Sequence, residues 1–294
     1  MDDAVASLVK KATEEAWLPA KDLDWDVKVE REVLAMPEHL CLVRDLPAYR
    51  SMSPNEQSAY RLRETAAALS NLVFGEERGA LLSAQVFIDS QEERPEDGEF
   101  LGILITEEAR HAAALGRYLK EKIGIVYAPH ASMKSIFRAL QLNASWELKL
   151  IVGQILFEPT ACSMLHSLLM RADEPLLVGL IKRVMRDEAR HLAYSYTVAG
   201  SLVRRFSDAQ RKTIEDLLFE STVACLDSFL PVALWEQESL PIGECRKLAV
   251  AALEERGLLN FFVRVMPEQL ARRGFASPRL RELIESSLIE KVRA

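Results

Sequence analysis

The amino-acid sequence predicts an all-α protein built around an antiparallel bundle of four long helices. Two capping boxes, at residues 53–56 and 207–210, mark the starts of helices. No hairpin dipeptide lies between alternating strand patterns anywhere in the chain. Long helical segments joined by short links and one longer crossover are typical of an antiparallel bundle.

The chain divides into three parts. Residues 1–52 contain Trp17, Trp25 and several prolines, and we expect this lead segment to pack on the bundle rather than fold alone. Residues 53–206 form the predicted bundle. Residues 207–294 are punctuated by prolines and glycines and are predicted to add further helices to the same domain.

Each helix of the predicted bundle is bounded by a local signal. Pro54 at the first helical position starts the first helix, and a polar stretch at 89–98 ends it. Residues 127–130 form the crossover, and Asp173 is the predicted cap of the last helix. We expect the four helical regions at about 54–88, 99–123, 133–171 (broken near Asn143) and 173–206.

Composition and charge exclude several classes of protein. The 294 residues carry a net charge of −7, whereas a general nucleic-acid surface would be basic. No uninterrupted apolar run reaches the roughly 18 residues that span a bilayer. The N-terminus lacks the pattern of a signal peptide. Four widely spaced cysteines form no C-x-x-C, which suggests reduced thiols. We therefore expect a cytoplasmic protein without nucleic-acid or membrane partners.

Two identical tetrapeptides, Glu-Ala-Arg-His, give the strongest chemical signal. They occupy Glu108–His111 and Glu188–His191, and they contain two of the five histidines. Positions i and i+3 share a helix face, so each motif presents a carboxylate beside an imidazole. Iron accepts both ligand types. Two such pairs, with one glutamate from each of two other helices, make the six-ligand di-metal site known in four-helix bundles.

The two further glutamates are expected about thirty residues upstream of each motif. Glu158 precedes Glu188 by 30 residues, and Glu77 precedes Glu108 by 31. Pro159 directly follows Glu158, which predicts a local distortion of the helix at this ligand.

Glu76 is the alternative to Glu77. Glu77 shares a helix face with the apolar Phe74 and Leu81, whereas Glu76 shares its face with small residues. Because the more apolar face of a helix points inward, we expect Glu77 to be the ligand.

A second acid precedes the glutamate of each motif. We expect Glu107 and Asp187 to reach across the bundle to the histidine of the opposite motif, because metal-bound histidines are usually fixed by a carboxylate. Arg110 and Arg190 would then balance the buried acids. The alternative is that these four residues form salt bridges at the rim.

The pattern Glu77, Glu108-x-x-His111, Glu158, Glu188-x-x-His191 resembles that of the ferritin-like di-iron carboxylate superfamily. The resemblance covers about residues 54–206 and implies a ferritin-like four-helix bundle with additional N- and C-terminal segments. The superfamily includes ribonucleotide reductase small subunits, multicomponent monooxygenases, acyl-carrier-protein desaturases, ligand-binding oxidases, para-aminobenzoate N-oxygenases and ferritins.

Three departures bear on the choice among these members. Leu115 stands where ribonucleotide reductase subunits carry a radical tyrosine, which disfavours radical storage. Val184 stands where the N-oxygenases carry an extra histidine, which disfavours that subgroup. Where several hydroxylases and desaturases have a threonine, this chain has Ala161 and Cys162; Cys162 either faces the oxygen-binding side or is a small core thiol.

The resemblance implies two Fe ions, or an Mn/Fe pair, that activate O₂ to oxidise an organic substrate by hydroxylation, desaturation or N-oxygenation. Electrons would come from an external donor, a ferredoxin or reductase, and we expect a homodimer. An apolar cavity should lie beside the metals, lined by Phe74, Leu115, Cys162 or Leu192. The alternatives are a ferroxidase, with a polar iron path, and a non-catalytic ligand-binding protein.

Overall fold

The computed structural model describes residues 3–170, 172–203, 205–272, 274–275 and 277–293. Throughout this part of the chain the regular elements are helices, and no strand occurs, which confirms the all-α prediction. Residue 171, where the third helical region was predicted to end, lies outside the described residues.

The lead segment is made of short helices separated by turns, with a 3₁₀ turn at Glu38–Leu40. Its helices are α1 (Asp3–Glu14), α2 (Pro19–Asp22), α3 (Arg31–Leu34) and α4 (Pro47–Arg50).

The bundle contains long and shorter helices; one π-helical turn extends one of them, and another joins two of them. Its helices are α5 (Pro54–Ser90), α6 (Gly98–Tyr118, continued by a π turn at Leu119–Ile123), α7 (Ala131–Asn143), α8 (Trp146–Ile151), α9 (Glu158–Leu169) and α10 (Pro175–Val203). A 3₁₀ turn at Pro95–Asp97 precedes α6.

The additional C-terminal helices follow without a long linker. They are α11 (Asp208–Asp227), α12 (Val232–Gln237), α13 (Ile242–Glu255), α14 (Leu258–Asn260, continued by a π turn at Phe261–Val265), α15 (Met266–Arg272) and α16 (Pro278–Arg293).

Helix starts follow the local chemistry of the sequence, with one correction. The Ser53 hydroxyl of α5 accepts from the Glu56 amide, and the Ser53 amide donates to the Glu56 carboxylate, so the predicted capping box is confirmed. At the start of α10 the cap is Glu174, not Asp173. The Glu174 carboxylate accepts hydrogen bonds of 2.7 Å from each of the first two free amides, those of Leu176 and Leu177.

The helix that carries Glu158 is distorted, as Pro159 predicts. A π-helical turn at Val152–Phe157 joins α8 to α9 directly before Glu158. Pro159 has no amide hydrogen and cannot donate to the carbonyl one turn earlier, so the regular α pattern is interrupted here. The span Trp146–Leu169 is long and apolar enough to cross a membrane by length and composition, but 61% of its most apolar window is buried inside the protein.

One hydrophobic core joins the three parts of the chain. Trp17 of the lead segment, Leu115 of the bundle and Trp235 of α12 belong to the same buried cluster. A second, smaller cluster packs Val5 of α1 against Phe100 and Tyr194 at one end of the bundle. The helices that carry the predicted ligands are therefore packed into this core, and their inward side chains are removed from water.

Candidate metal centre

Six potential metal ligands from four helices meet in the interior of the bundle. Each has at most 7% of its surface exposed. They are Glu76 of α5, Glu108 and His111 of α6, Glu158 of α9, and Glu188 and His191 of α10. The structure thus brings together all the predicted ligands except Glu77.

These side chains form two donor sets that share one carboxylate. Glu108, Glu158, Glu188 and His191 offer ligand atoms that all lie within 4.8 Å of one another, and Glu76, His111 and Glu188 form a second set by the same measure. The carboxylate oxygens of Glu188 lie 3.0 Å from His111 Nδ1 and 3.1 Å from His191 Nδ1. Glu188 would therefore contribute to the binding of metal in both sets.

The prediction that Glu77 faces the interior is wrong. Glu77 is exposed and lines a groove on the outer surface of α5 and α6, whereas Glu76 is buried with its Oε2 3.2 Å from His111 Nδ1. The apolar face of α5 does not point inward at this position, because Leu81 is 48% exposed and lies on the outer face. The inner face of α5 instead carries small residues, including Gly79, which leave room for carboxylates.

Buried carboxylate oxygens without hydrogen-bond donors indicate that the cluster suits a cation. Among the described residues, Glu76 Oε1 accepts no hydrogen bond. Glu108 Oε1 and Glu188 Oε1 lie 3.4 and 3.0 Å from imidazole nitrogens, but out of hydrogen-bond alignment. Leaving such oxygens unsatisfied in the interior is costly. Metal ions would satisfy them, and the mixture of carboxylates and imidazoles is the donor set that iron accepts.

Three buried carboxylates of this cluster have strongly shifted pKa values. Burial, together with the charges of Glu188 and Glu108, raises the pKa of Glu76 to about 8. The same causes raise the pKa of Glu158 well above its usual value. Burial also acts to raise the pKa of Glu188, but the two histidines outweigh it and hold that pKa well below normal. Because metal ligands must be deprotonated, metal binding at these carboxylates would release protons.

Crossed contacts fix the orientation of both imidazoles. Asp187 Oδ2 lies 3.0 Å from His111 Nε2, and Glu107 Oε2 lies 3.0 Å from His191 Nε2, so each acid reaches the histidine of the opposite motif as the sequence suggested. With Nε2 engaged outward, the Nδ1 atom of each ring faces the central carboxylates. Carboxylates of this kind fix the tautomer of a metal-binding histidine.

Arginines and a tryptophan complete the outer layer. Arg190 donates to Glu107 Oε1 at 2.7 Å, and Arg110 donates to Asp187 Oδ2 at 2.8 Å. Trp17 also donates from its indole nitrogen to Asp187 Oδ2 at 2.7 Å. Trp17 was not among the residues predicted for the site. Its only local signal was a tryptophan in an otherwise irregular lead segment.

A largely apolar cavity lies directly against Glu76, Glu108 and Glu158. It lies between α5, α6, α7, α8–α9 and α11 and is partly open to solvent. Its apolar walls include Leu72, Leu82, Val86, Leu101, Leu104, Leu150, Phe157, Ala161 and Met164.

The cavity residues expected from the sequence were wrong. Phe74 packs edge-on against Phe137 with the ring centres 5.8 Å apart, and Leu115 is fully buried in the core. Leu192 lies on α10, which contributes no residue to the described cavity wall. Cys162 is also absent from the wall, where Ala161 stands instead. This position outside the wall favours the core-thiol alternative, and burial followed by the charge of Glu188 raises the pKa of the Cys162 thiol.

Gly79 provides the space that Glu108 occupies. A Cβ atom at position 79 would lie 2.5 Å from Glu108 Oε2, whereas one at Gly75, a turn earlier on the same helix, would meet no atom within 4 Å. We therefore expect Gly79→Ala to displace the Glu108 carboxylate and to lower the metal content of the purified protein. Gly75→Ala is the matched control and should retain the wild-type metal content. Equal metal content in both variants would contradict this role of Gly79.

Comparison with known proteins agrees with this geometry. The profile of the P-aminobenzoate N-oxygenase AurF family matches residues 1–266. Two structures of R2-like ligand-binding oxidase variants with a reconstituted Mn/Fe cofactor have the same fold. The alignment with one of them has a TM-score of 0.57 at 16% identity and covers 93% of each chain. The alignment with the other has a TM-score of 0.54 at 16% identity and covers 86% of this chain and 91% of the oxidase chain.

A similarity to a curated protein is more limited. DesA2 of Mycobacterium tuberculosis, named as an acyl-(acyl-carrier-protein) desaturase, is 28% identical over 96 residues. This match covers 32% of the present chain and 35% of the desaturase. It therefore supports the superfamily but not a particular substrate.

The family match both confirms and corrects the sequence analysis. It confirms the prediction of an O₂-activating di-iron oxidoreductase. It overturns the expectation, based on Val184, that the chain lies outside the N-oxygenase group. Val184 is fully buried and stands where an extra histidine was expected for that group. The chain belongs to the P-aminobenzoate N-oxygenase AurF family, within the ferritin-like di-iron carboxylate superfamily.

Proposed function

We propose that Glu76, Glu108, His111, Glu158, Glu188 and His191 hold two iron ions, and that the protein uses O₂ to oxidise an organic molecule bound in the adjacent cavity. The observation that carries this proposal is the position of the cavity. Three of the six ligands, Glu76, Glu108 and Glu158, form part of its wall, so a bound molecule would lie directly against the metals.

The side chains of this protein have distinct parts in such a reaction. The iron ions would supply the reduction of O₂. Asp187 and Glu107 hold the imidazoles of His111 and His191 in one orientation. The apolar walls exclude water from the space beside the metals, which strengthens electrostatic interactions there and prevents side reactions.

N-oxygenation of an amine is the reaction that family membership supports best. In such a reaction one oxygen atom of O₂ enters the substrate as a new N–O bond, and the other leaves as water. The balance requires two electrons and two protons from outside the active site. Hydroxylation at carbon follows the same balance and is the second reaction to test.

The apolar lining favours an organic substrate over iron storage. Iron is bound by polar oxygen and nitrogen ligands, so a ferroxidase needs a polar path along which many ions reach the centre. Leu82, Val86, Leu101 and Leu104 instead provide an apolar surface along the cavity.

An external electron donor, a ferredoxin or reductase, and a homodimer complete the proposal. The outer groove of α5 and α6, which includes Val73, Leu81 and Val126, offers apolar surface for a second copy. Sedimentation at several concentrations would test the dimer. The four cysteines are free in the structure, which supports a reducing, cytoplasmic location.

The test is to load the protein with ferrous iron without oxygen, remove unbound iron, and mix it with O₂ in the presence and absence of an arylamine such as 4-aminobenzoate. We expect O₂ uptake in proportion to the di-iron content and an N-oxidised product. His191→Ala should lose this activity, because it removes a ligand. His166→Ala, which alters an exposed histidine of α9, should retain it. Uptake of many iron ions per chain with formation of ferric oxide alone would contradict the oxygenase function.

A further inference from the structure

A buried lysine lies in the cavity, away from the metal centre. Lys149 of α8 lines the cavity and has 6% of its surface exposed. It precedes Glu158 by nine residues on nearly continuous helix, which corresponds to roughly 13 Å at the usual rise per residue. The cavity thus has an acidic wall at the ligands and a cationic group at a distance from it.

The ion pair of Lys149 is weak for a buried charge. Its Nζ lies 3.4 Å from Asp89 Oδ2, and the side chain of Asp89 is 48% exposed and therefore well hydrated. An ammonium group has three donors. Among the described residues Lys149 has this one long ion pair, so the buried cation is incompletely compensated, and an additional anion in the cavity would improve its environment.

The wall between the two charged regions is apolar. Leu150 and Gly153 follow Lys149 on the same helix, and Val86, Leu101 and Leu104 face the cavity from α5 and α6. Leu101 and Leu104 are almost fully buried. This stretch suits the hydrocarbon body of a ligand, because contact would bury apolar surface of both the ligand and the cavity wall, which is favourable.

We propose that Lys149 binds the carboxylate of an elongated amphiphilic substrate, whose apolar body lies along Leu101 and Leu104 and whose oxidisable end reaches the metal centre. The proposal rests on the proposed function and defines the substrate class of the same site. A single ammonium matches the single charge of a carboxylate. A dianionic phosphate would leave an uncompensated charge in the cavity, which is unfavourable.

The experiment measures binding rather than turnover. Calorimetric titration of the iron-loaded protein, without oxygen, would compare decanoate, decan-1-ol and butanoate. We expect wild-type protein to bind decanoate at least about tenfold more tightly than decan-1-ol, because a buried charged contact contributes that much or more. Butanoate, which has the carboxylate without the long body, should bind at least about tenfold more weakly than decanoate.

Variants of the charged pair make the test specific. Lys149→Met should weaken decanoate binding by at least about tenfold and leave decan-1-ol binding unchanged. Asp89→Asn removes the competing carboxylate and should tighten decanoate binding. Lys182→Met, at an exposed position of α10, is the control and should bind as wild type does. A thermal melt would establish that each variant is folded.

Equal affinity of the wild-type protein for decanoate and decan-1-ol, no binding of decanoate, or unchanged decanoate binding in folded Lys149→Met would each overturn the proposal. Because the titration involves no O₂, failure of the oxygenase reaction would not alter its result. Conversely, an active oxygenase without preference for the carboxylate would overturn the role of Lys149 alone.

Discussion

Glu76→Ala should lose bound iron, whereas Glu77→Ala should retain it. Glu76 is buried at the centre with its carboxylate beside His111, and the neighbouring Glu77 is exposed on the outer surface. Removal of a direct ligand should lower the affinity of its half-site by more than the roughly 10–100-fold usual for outer partners of metal ligands. Iron per chain, measured by elemental analysis after anaerobic loading and desalting, should fall from two ions to at most one.

The pair of adjacent variants is its own control, since both remove one glutamate from the same turn of α5. Glu76→Ala should still fold, because the metal-free cluster contains carboxylates that repel one another and removal of one relieves this repulsion. Helical content and the thermal melt of the metal-free protein would establish this. Loss of iron only from Glu77→Ala would contradict the ligand assignment.

Local signals in the sequence were sufficient for most of the architecture. The capping boxes at Ser53 and Ser207 fixed the starts of α5 and α11, because a cap depends on residues only three positions apart. The Glu-x-x-His motifs placed carboxylate and imidazole side by side for the same reason. Pro159 indicated the distortion before Glu158, since the missing amide hydrogen acts within one turn.

Predictions that depended on which face of a helix is enclosed were less successful. On α5, the apolar Leu81 lies on the surface, and the buried face next to Glu76 carries small residues. The usual relation between apolar side chains and the interior is reversed there, because an interior site for metals and a cavity needs space and polar groups. The same difficulty explains the wrong cavity residues: Leu115 and Leu192 were chosen by distance along the chain, without knowledge of the side on which the cavity opens.

Contacts made across long sequence distances by residues outside the motifs could not be predicted. Trp17 reaches Asp187 across 170 residues, and Lys149 is paired with Asp89 on another helix. Neither residue belongs to a motif, and a lone tryptophan or lysine in a helical protein has many ordinary explanations. Only the packing of the lead segment against α10, and of α8 against α5, brings these groups to the site.

Glu107→Gln and Asp187→Asn should each weaken metal binding by about 10–100-fold, the range found for outer partners of metal-binding histidines. Each substitution keeps the size of the side chain but replaces a carboxylate that lies 3.0 Å from an imidazole nitrogen. Competition with a chelator would measure the affinity. Glu99→Gln, at an exposed acid of α6, is the control and should bind metal as the wild type does.

The crossed arrangement makes the two effects distinguishable. Glu107 contacts His191, which belongs to the set with Glu108 and Glu158, whereas Asp187 contacts His111, which belongs to the set with Glu76. Each variant should therefore weaken mainly one of the two ions, and the titration should resolve one tight and one weakened site.

The double variant Glu107→Gln/Asp187→Asn should lose less metal affinity than the sum of the losses in the two single variants. Arg190 donates to both acids, and Arg110 lies 3.3 Å from Glu107 and 2.8 Å from Asp187, so the four charges form one network. Removal of either acid already leaves an excess of buried positive charge, and groups in one network do not contribute independently. Two results would contradict this arrangement: strictly additive losses of metal affinity in the double variant, or equal weakening of both ions by each single variant. Either result would show that the acids act on the centre only through its overall charge and do not orient individual histidines.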